Sequence, residues 1–311
     1  MGHELLGLAT CDWREGRAMI LTQLFINGLL LGGIYALLSI GLTLIFGVVR
    51  VINFAHGEFL MISMYIAYFF YALFGLNPYW SLLVNFPLMF CLGMATDQLL
   101  IRPLRNAPSY MQVFATVGLS ILLINLALFI FSGDYRAIDL PFAKKVVQVG
   151  GIYLNYPRLI IFFSAIAITL LIYLFLKNTD MGKQIRAIAQ NRTAARLMGL
   201  KPNRIYMITF GIGSGLVGIA GGLITPVYYV YPTVGVYFVL TAFVVVVLGG
   251  MGNMMGAFLG GLIIGVVDSF SGYYIDPSLK ETVYYVIFVL VLIFRPSGLL
   301  GQVGAEEMGM K

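Results

Sequence analysis

Nine long apolar runs constrain this chain more than any other feature. They lie near residues 22–48, 58–75, 79–101, 110–131, 158–176, 205–226, 236–250, 255–273 and 282–295. An α-helix needs ~20 apolar residues to cross a bilayer, and most of the runs have or approach that length. Only 10% of the 311 residues are charged and 60% are hydrophobic, against roughly a quarter charged in soluble domains. The predicted fold class is therefore an all-α integral membrane protein, a polytopic helical bundle of about eight or nine transmembrane helices. A length that would suggest two soluble domains fits one transmembrane domain over 19–301. Residues 1–18 and 302–311 are expected as tails, the first flexible and the second cytoplasmic. The first segment has no basic start, apolar core and cleavage site of a signal peptide.

Charge placement gives an orientation. The formal net charge is +6, which raises nucleic acid as a partner, but the cations gather in loops between apolar runs. Lys177, Lys183, Arg186, Arg192, Arg196, Lys201 and Arg204 share one loop, 177–204, with a lone Asp180; Arg102 and Arg105 follow the third run. This is the distribution of a positive-inside membrane protein, so both loops are expected in the cytoplasm and no nucleic-acid partner is expected. Counting outward puts the N-terminus outside, the C-terminus inside and the turn after the first run, with Arg50, on the cytoplasmic side. The largest outer segment, 132–157, contains "KKVVQVGGIYLNY", which suits a short hairpin or a surface helix.

Glycine spacing indicates where helices meet. Gly28/Gly32, Gly211/Gly215, Gly218/Gly222, Gly256/Gly260 and Gly261/Gly265 each sit at i, i+4. That spacing keeps both on nearly one helix face and admits another backbone. "NFAHGEFLM" and "NMMGAFLGG" share an Asn, a Gly and a Phe-Leu, a short echo of the kind left by duplicated transporter halves.

The stretch "INFAHGEF", 52–59, places Asn53, His56 and Glu58 between two apolar runs. Ionisable groups at membrane depth are expensive and suggest function. Three readings stay open: capping of backbone groups freed between two helices, with Glu58 complementing a positive helix end; lining or gating of a pathway; and proton coupling. Catalysis has no partner set, since the one other histidine is His3. Gly249, Gly250, Gly252 and Asn253 form a second turn suited to tight helix approach or an interrupted helix, and complete the candidate pathway or gating residues. Asp97 and Asp268, near span ends, are expected to meet water or pair locally. Two cysteines, Cys11 and Cys91, provide neither a disulfide framework nor a metal cluster, and no metal or cofactor is expected.

The polar stretch 181–204, "MGKQIRAIAQNRTAARLMGLKPNR", reads as helical as far as Pro202. Arg186, Arg192 and Arg196 alternate there with apolar residues, giving an amphipathic segment for the membrane surface or a partner. An ordinary positive-inside loop and a lipid-headgroup anchor are its plainer readings. Within it, "TAARLMG" resembles the EAA loop of ABC importer permeases, with Thr193 in place of Glu and without the following Ile-x-Leu-Pro. Together with "NGLLLGGIYALLSIGLTLIFGVVRVINFAHGEFLM", "GIAGGLITP", "VVLGGMGNMMGAFLGGLIIG" and "FRPSGLLG", the chain resembles the LivH-type permeases of high-affinity branched-chain amino acid ABC importers over about residues 20–301.

That resemblance implies a membrane-spanning permease subunit in a bacterial inner membrane, passing aliphatic amino acids delivered by an extracytoplasmic binding protein. It implies a second related permease subunit and two cytoplasmic ATPase subunits, contacted through Arg186, Arg192, Thr193, Ala194, Ala195, Arg196 and Gly199. The chain itself is not expected to be an enzyme: no G-x-x-x-x-G-K-[ST] phosphate loop occurs, and Gly182-Lys183 is followed by Gln184. A urea or short-chain amide permease of the same architecture is the alternative substrate class; a self-sufficient channel or ion-coupled carrier and a purely structural membrane scaffold are the alternatives of another kind.

Overall fold

A computed structural model describes residues 2–140, 145–295 and 297–301, with side chains from Arg17 onward save that of residue 149. Among the described residues the chain forms eleven α-helices and one hairpin. The helices are α1 (Gly2–Val49), α2 (His56–Phe74), α3 (Leu82–Thr96), α4 (Ser109–Phe131), α5 (Tyr156–Asn178), α6 (Asp180–Gln190), α7 (Arg192–Leu197), α8 (Pro202–Ile224), α9 (Val234–Gly249), α10 (Met254–Tyr274) and α11 (Lys280–Phe294). The backbone of residues 2–16 is part of α1, whereas the C-terminal tail, 302–311, lies outside the described residues. A 3-10 turn, Pro78–Ser81, leads into α3, and a π-helical turn, Asp97–Ile101, follows it. Strands β1 (Val146–Val149) and β2 (Ile152–Asn155) pair antiparallel from Val146–Asn155 to Val149–Ile152. Gly150 and Gly151 turn the hairpin with φ of 57° and 85°, the left-handed conformation that glycine adopts cheaply. The hairpin reading of 146–155 is thus the one realised.

Each of the nine apolar runs lies on a helix. Among the described residues, seven helical stretches are long and apolar enough to span a membrane: Arg17–Val49, His56–Phe74, Pro78–Ile101, Ser109–Phe131, Tyr156–Asn178, Pro202–Ile224 and Met254–Tyr274. Helices α9 and α11 are shorter, with 16 and 15 residues. At 1.5 Å per residue α9 covers about 24 Å, less than the ~30 Å hydrocarbon thickness.

The reason lies in how α9 begins. The ends of α1 and α3 and the starts of α8 and α10 lie on the same face: Arg50 meets Ala189, Arg105 meets Asn203 and Gly47 meets Gly252. This face carries the loop 177–204 and is called the basic face below. From it α1 and α10 run antiparallel, with Ala36 against Gly261, Gly32 against Leu262 and Gly265, and Gly28 against Val266. Helices α8 and α3 repeat that arrangement, with Gly211 against Met94 and Phe90, Gly215 against Phe86 and Gly222 against Leu82. A Cβ on Gly32 would come within 2.7 Å of the Leu262 Cα, so the backbones meet because no side chain intervenes. The glycine pairs of α1, α8 and α10 are therefore helix contacts.

Two reciprocal crossings join these halves. Gly41 of α1 meets Gly213 of α8, and Gly57 of α2 meets Gly235 of α9. Helix α1 is followed by a turn that climbs back into the bundle before α2 starts; α8 is followed by the link 225–233, which descends from the opposite face before α9 starts. The quartets α1–α4 and α8–α11 thus share one pattern of helix pairing in opposite senses, as in inverted transporter repeats, with α5–α7 between them. The correspondence pairs α2 with α9. The short sequence echo, which matches the start of α2 to the start of α10, does not follow it.

Candidate functional site

The "INFAHGEF" turn departs from a surface loop. Arg50 turns the chain in the left-handed region, φ 60°, after donating its N–H to Phe46 O at 3.0 Å in the last hydrogen bond of α1. Val51, Asn53, Ala55, His56, Glu58 and Phe59 are all buried. Thr116 of α4 donates its hydroxyl to Ile52 O at 3.1 Å, and Phe54 stacks on Phe243 of α9. His56 Nε2 lies 3.4 Å from Leu38 O, and a Cβ on Gly41 would come within 3.3 Å of the imidazole. Leu38 precedes the end of α1 by about three turns. The expected position at the basic face therefore needs refining: the turn starts there but brings His56 to the middle of the bundle.

Its polar groups are only partly satisfied. Asn53 Oδ1 accepts the Ala55 N–H at 3.1 Å, a local turn typical of asparagine, and the His56 N–H donates to Asn53 O at 3.3 Å. The α2 N-cap, Ala55, offers no side-chain oxygen; Glu58 sits in the first turn, where the positive end of the helix favours an acid. The Ser120 hydroxyl of α4 faces the Glu58 carboxyl without reaching hydrogen-bond geometry. Asn53 Nδ2, His56 Nδ1 and both Glu58 oxygens are buried without a partner among the described residues. Native cores satisfy most such groups, so this cluster has free hydrogen-bonding capacity that a polar solute or water can meet.

Gly249, Gly250 and Asn253 form a different site. Gly249 lies against Gly256, and Gly250, φ 103°, lies against Gly301. Asn253 caps α10 by accepting the Gly256 N–H at 3.0 Å and donates Nδ2 to Leu300 O at 2.7 Å. Leu299 and Leu300 donate their amides to Leu248 O and Gly249 O. This turn meets the last turns of α1 at Gly47, which lies against Gly252. It also borders a cavity of about 550 Å³ with Arg50, Lys177 and Arg186.

The loop 177–204 is two helices. Thr179 caps α6, accepting the Gly182 N–H at 3.0 Å, and Asn191 caps α7, accepting the Ala194 N–H at 2.9 Å. The expected continuous helix breaks at Asn191, whose extended backbone, φ −150° and ψ 101°, starts a new cap. Helix α6 buries Gly182, Ile185 and Ile188 and turns Arg186 outward, its Nη2 3.3 Å from Lys177 O. Helix α7 is fixed by buried Ala195 and by Arg192, whose guanidinium lies 5.7 Å from the Tyr206 ring centre. Thr193, Ala194 and Arg196 are exposed. Leu197 and Met198 are 85% and 84% exposed. Gly199, φ 82°, ends the segment while its N–H reaches Arg196 O at 3.0 Å and that of Leu200 reaches Ala195 O at 3.1 Å, the Schellman pattern that favours glycine.

A third polar set surrounds the two acids near span ends, with partners that the sequence does not name. Asp97 pairs with Arg105 at 2.6 Å. Asp268 lies 3.3 Å from Lys280 Nζ and 3.4 Å from the Tyr35 hydroxyl, which is 3.1 Å from the Tyr237 hydroxyl. Both acids pair locally, as expected, yet both are buried. Their partners are remote in sequence or sit past a helix turn, so no spacing signals them.

Comparison with known proteins adds the following. Residues 24–292 match the family model described as "Branched-chain amino acid transport system / permease component". The chain is similar to the high-affinity branched-chain amino acid transport system permease protein BraD of Pseudomonas aeruginosa, 32% identical over 92% of this chain and 97% of that protein. It is 31% identical to the permease protein LivH of Escherichia coli over 93% of this chain and 97% of that protein. The probable branched-chain amino acid transport permease protein LivH of Methanocaldococcus jannaschii is 29% identical over 92% of this chain and 93% of its own length. No solved structure matches.

Proposed function

The chain belongs to the family of permease components of branched-chain amino acid transport systems, and on that premise we propose that it is the translocating subunit of an ATP-driven importer for aliphatic amino acids. A second related permease subunit completes the passage, an extracytoplasmic binding protein delivers the amino acid, and two ATPase subunits dock on the basic face. The basic face lies in the cytoplasm, by the positive-inside rule. The transmembrane domain is 19–301, and residues 1–18 are dispensable for assembly.

The observation that carries this reading is α7. A short helix held by Ala195 presents Thr193, Ala194, Arg196, Leu197 and Met198 to solvent. Two adjacent apolar side chains projecting from a strongly basic surface form a contact for another protein. Motion of α7 reaches the bundle through Tyr206 of α8, and α8 crosses α1 beside His56 at Gly213 and Gly41. Asn53, His56 and Glu58 then act as the gate, and Gly249, Gly250 and Asn253 as a pivot on the basic side.

Gly199→Leu tests the coupling role. Leucine is strained in the left-handed conformation by roughly 1 kcal/mol, while a side chain there meets open space. Expression of the bundle should persist, ATPase co-purification should fall and leucine uptake should be lost; Gly199→Asn, which tolerates the conformation, should retain both. Arg196→Glu should weaken recruitment by about 1–3 kcal/mol if its charge is paired across the interface. Normal recruitment and turnover in Gly199→Leu would return α6 and α7 to a membrane-surface anchor. Uptake of urea in preference to leucine would overturn the substrate class, and uptake by the chain alone in liposomes would identify a self-sufficient carrier.

A further inference from the structure

Beside α7 lies a cavity of about 580 Å³ lined by Arg102, Arg105, Asn106, Arg192, Thr193, Arg196 and Asn203. A second cavity, sharing Arg102, Arg196 and Asn203, adds Lys201 and Arg204. Asp97 is the one acid on either wall, and it is already paired with Arg105. Several guanidinium groups therefore converge on one concave space with little to neutralise them.

The walls are built. Arg105 has a side chain only 8% exposed; it donates to Asp97 and Asn203 at 2.6 and 2.8 Å and lies 4.7 Å from the Tyr206 ring centre. Its Nε remains buried without a partner among the described residues. Arg192 covers the same ring. The π-helical turn Asp97–Ile101, closed by the Arg102 N–H on Asp97 O at 2.7 Å, adds a residue to the helix before Arg102 turns off it. Forked guanidinium donors at fixed angles suit the oxygens of a phosphate.

The surroundings select the kind of phosphate. Leu99, one turn before Arg102, is 77% exposed, and Met111 and Phe114, on the first turns of α4, are 43% and 70% exposed. Gln112 of α4 donates Nε2 to Leu104 O at 3.0 Å, so the start of α4, with its exposed apolar side chains, is tied to the turn that carries Arg102 and Arg105 and forms an apolar flank to the arginine segment. An acyl chain can cover that flank while a headgroup occupies the cavity. We propose that this cavity binds the phosphate headgroup of an anionic phospholipid on the basic face of the membrane. The site stands on the cavity and its flank and does not require α7 to be an ATPase contact. If α7 is one, the headgroup touches Arg192, Thr193 and Arg196 on its inner side while Leu197 and Met198 remain free for the partner.

The test uses the full chain in detergent, with phosphatidylglycerol and phosphatidylcholine of matched acyl chains as probes, read by native mass spectrometry and by thermal unfolding. Retention of phosphatidylglycerol over phosphatidylcholine is expected, weakening as salt is raised. Arg102 is exposed and outside the hydrogen-bonded wall, so Arg102→Gln should fold and should lower phosphatidylglycerol affinity about 5- to 50-fold, as loss of a charge-assisted contact does. Phosphatidylcholine retention should not change. Equal retention of both lipids would overturn the proposal, as would protection by inorganic phosphate or glycerol phosphate matching that of the lipid, which would assign the cavity to a soluble anion. Unchanged lipid retention in Arg102→Gln with loss of ATPase co-purification would overturn it too, assigning the arginines to acidic side chains of a protein partner.

Discussion

At Gly57 the fold depends on the absence of a single atom group. A Cβ there would clash with Gly235 O, and the contact is with backbone, which cannot rotate aside as a side chain can. Gly57→Ala should therefore force α2 and α9 apart, at about 1–3 kcal/mol for overpacking. Gly118→Ala, where nothing lies within 4 Å, should be neutral or slightly stabilising; comparing the thermal midpoints of the two variants checks the crossing. Asp268 supports a second prediction. Lys280→Met leaves the buried carboxylate with the Tyr35 hydroxyl as its remaining hydrogen-bond partner among the described residues, and because the lysine is 30% exposed the cost should be about 1–3 kcal/mol, below that of a fully buried pair. Asp268→Asn, which keeps an acceptor and removes the charge, should cost less in the same melting experiment. What the sequence discloses at this scale is strangeness: an acid and an imidazole in an oily stretch, or glycines four apart. It does not disclose partners, since Gly57 and Gly235 are joined by the course of the whole chain.

Helix α9 illustrates the same division for elements. The run 236–250 was visible, and so was its end at Gly250, where φ 103° suits glycine. Its starting depth was not, because polarity marks a surface loop and a re-entrant turn in much the same way. Asn53 is polar and yet buried, and its oxygen serves the turn itself. Conversely, the hairpin was one of two readings open for 132–157, favoured by alternation and a Gly-Gly pair, which are local rules, whereas the break between α6 and α7 was hidden by an apolar pattern that continues through Asn191. In a chain with Cys11 and Cys91 replaced by Ser, Asn53→Cys should resist a water-soluble thiol reagent from either face, while Asn191→Cys should react from the basic face of opened vesicles. Equal labelling of the two would put the "INFAHGEF" turn at the surface.

The two quartets of helices arrange the whole molecule around a shared centre, the crossings Gly41–Gly213 and Gly57–Gly235, reached by one turn from each face. Such likeness survives without matching sequence, because it requires only small residues where backbones cross. It also leaves the faces distinguishable by charge alone. Arg50, Arg102, Arg105, Lys177, Lys183, Arg186, Arg192, Arg196, Lys201 and Arg204 belong to one face, where Asp97 and Asp180 are each engaged with a cation. On the other, Arg136, Lys145, Arg158 and Lys280 are interspersed with Asp134, Asp139, Asp276 and Glu281. Cations are retained on the cytoplasmic side, and this asymmetry is the ground for the proposed orientation, since the two quartets pair their helices alike. In the same cysteine-free background, Ser109→Cys and Asn191→Cys should be protected from an impermeant thiol reagent added to intact cells, and Asp276→Cys should label. All three positions are exposed in the subunit, so protection reports the membrane. Protection of Asp276→Cys with labelling of the other two would invert the molecule, put α7 on the outer side of the membrane and overturn the proposal that ATPase subunits dock there.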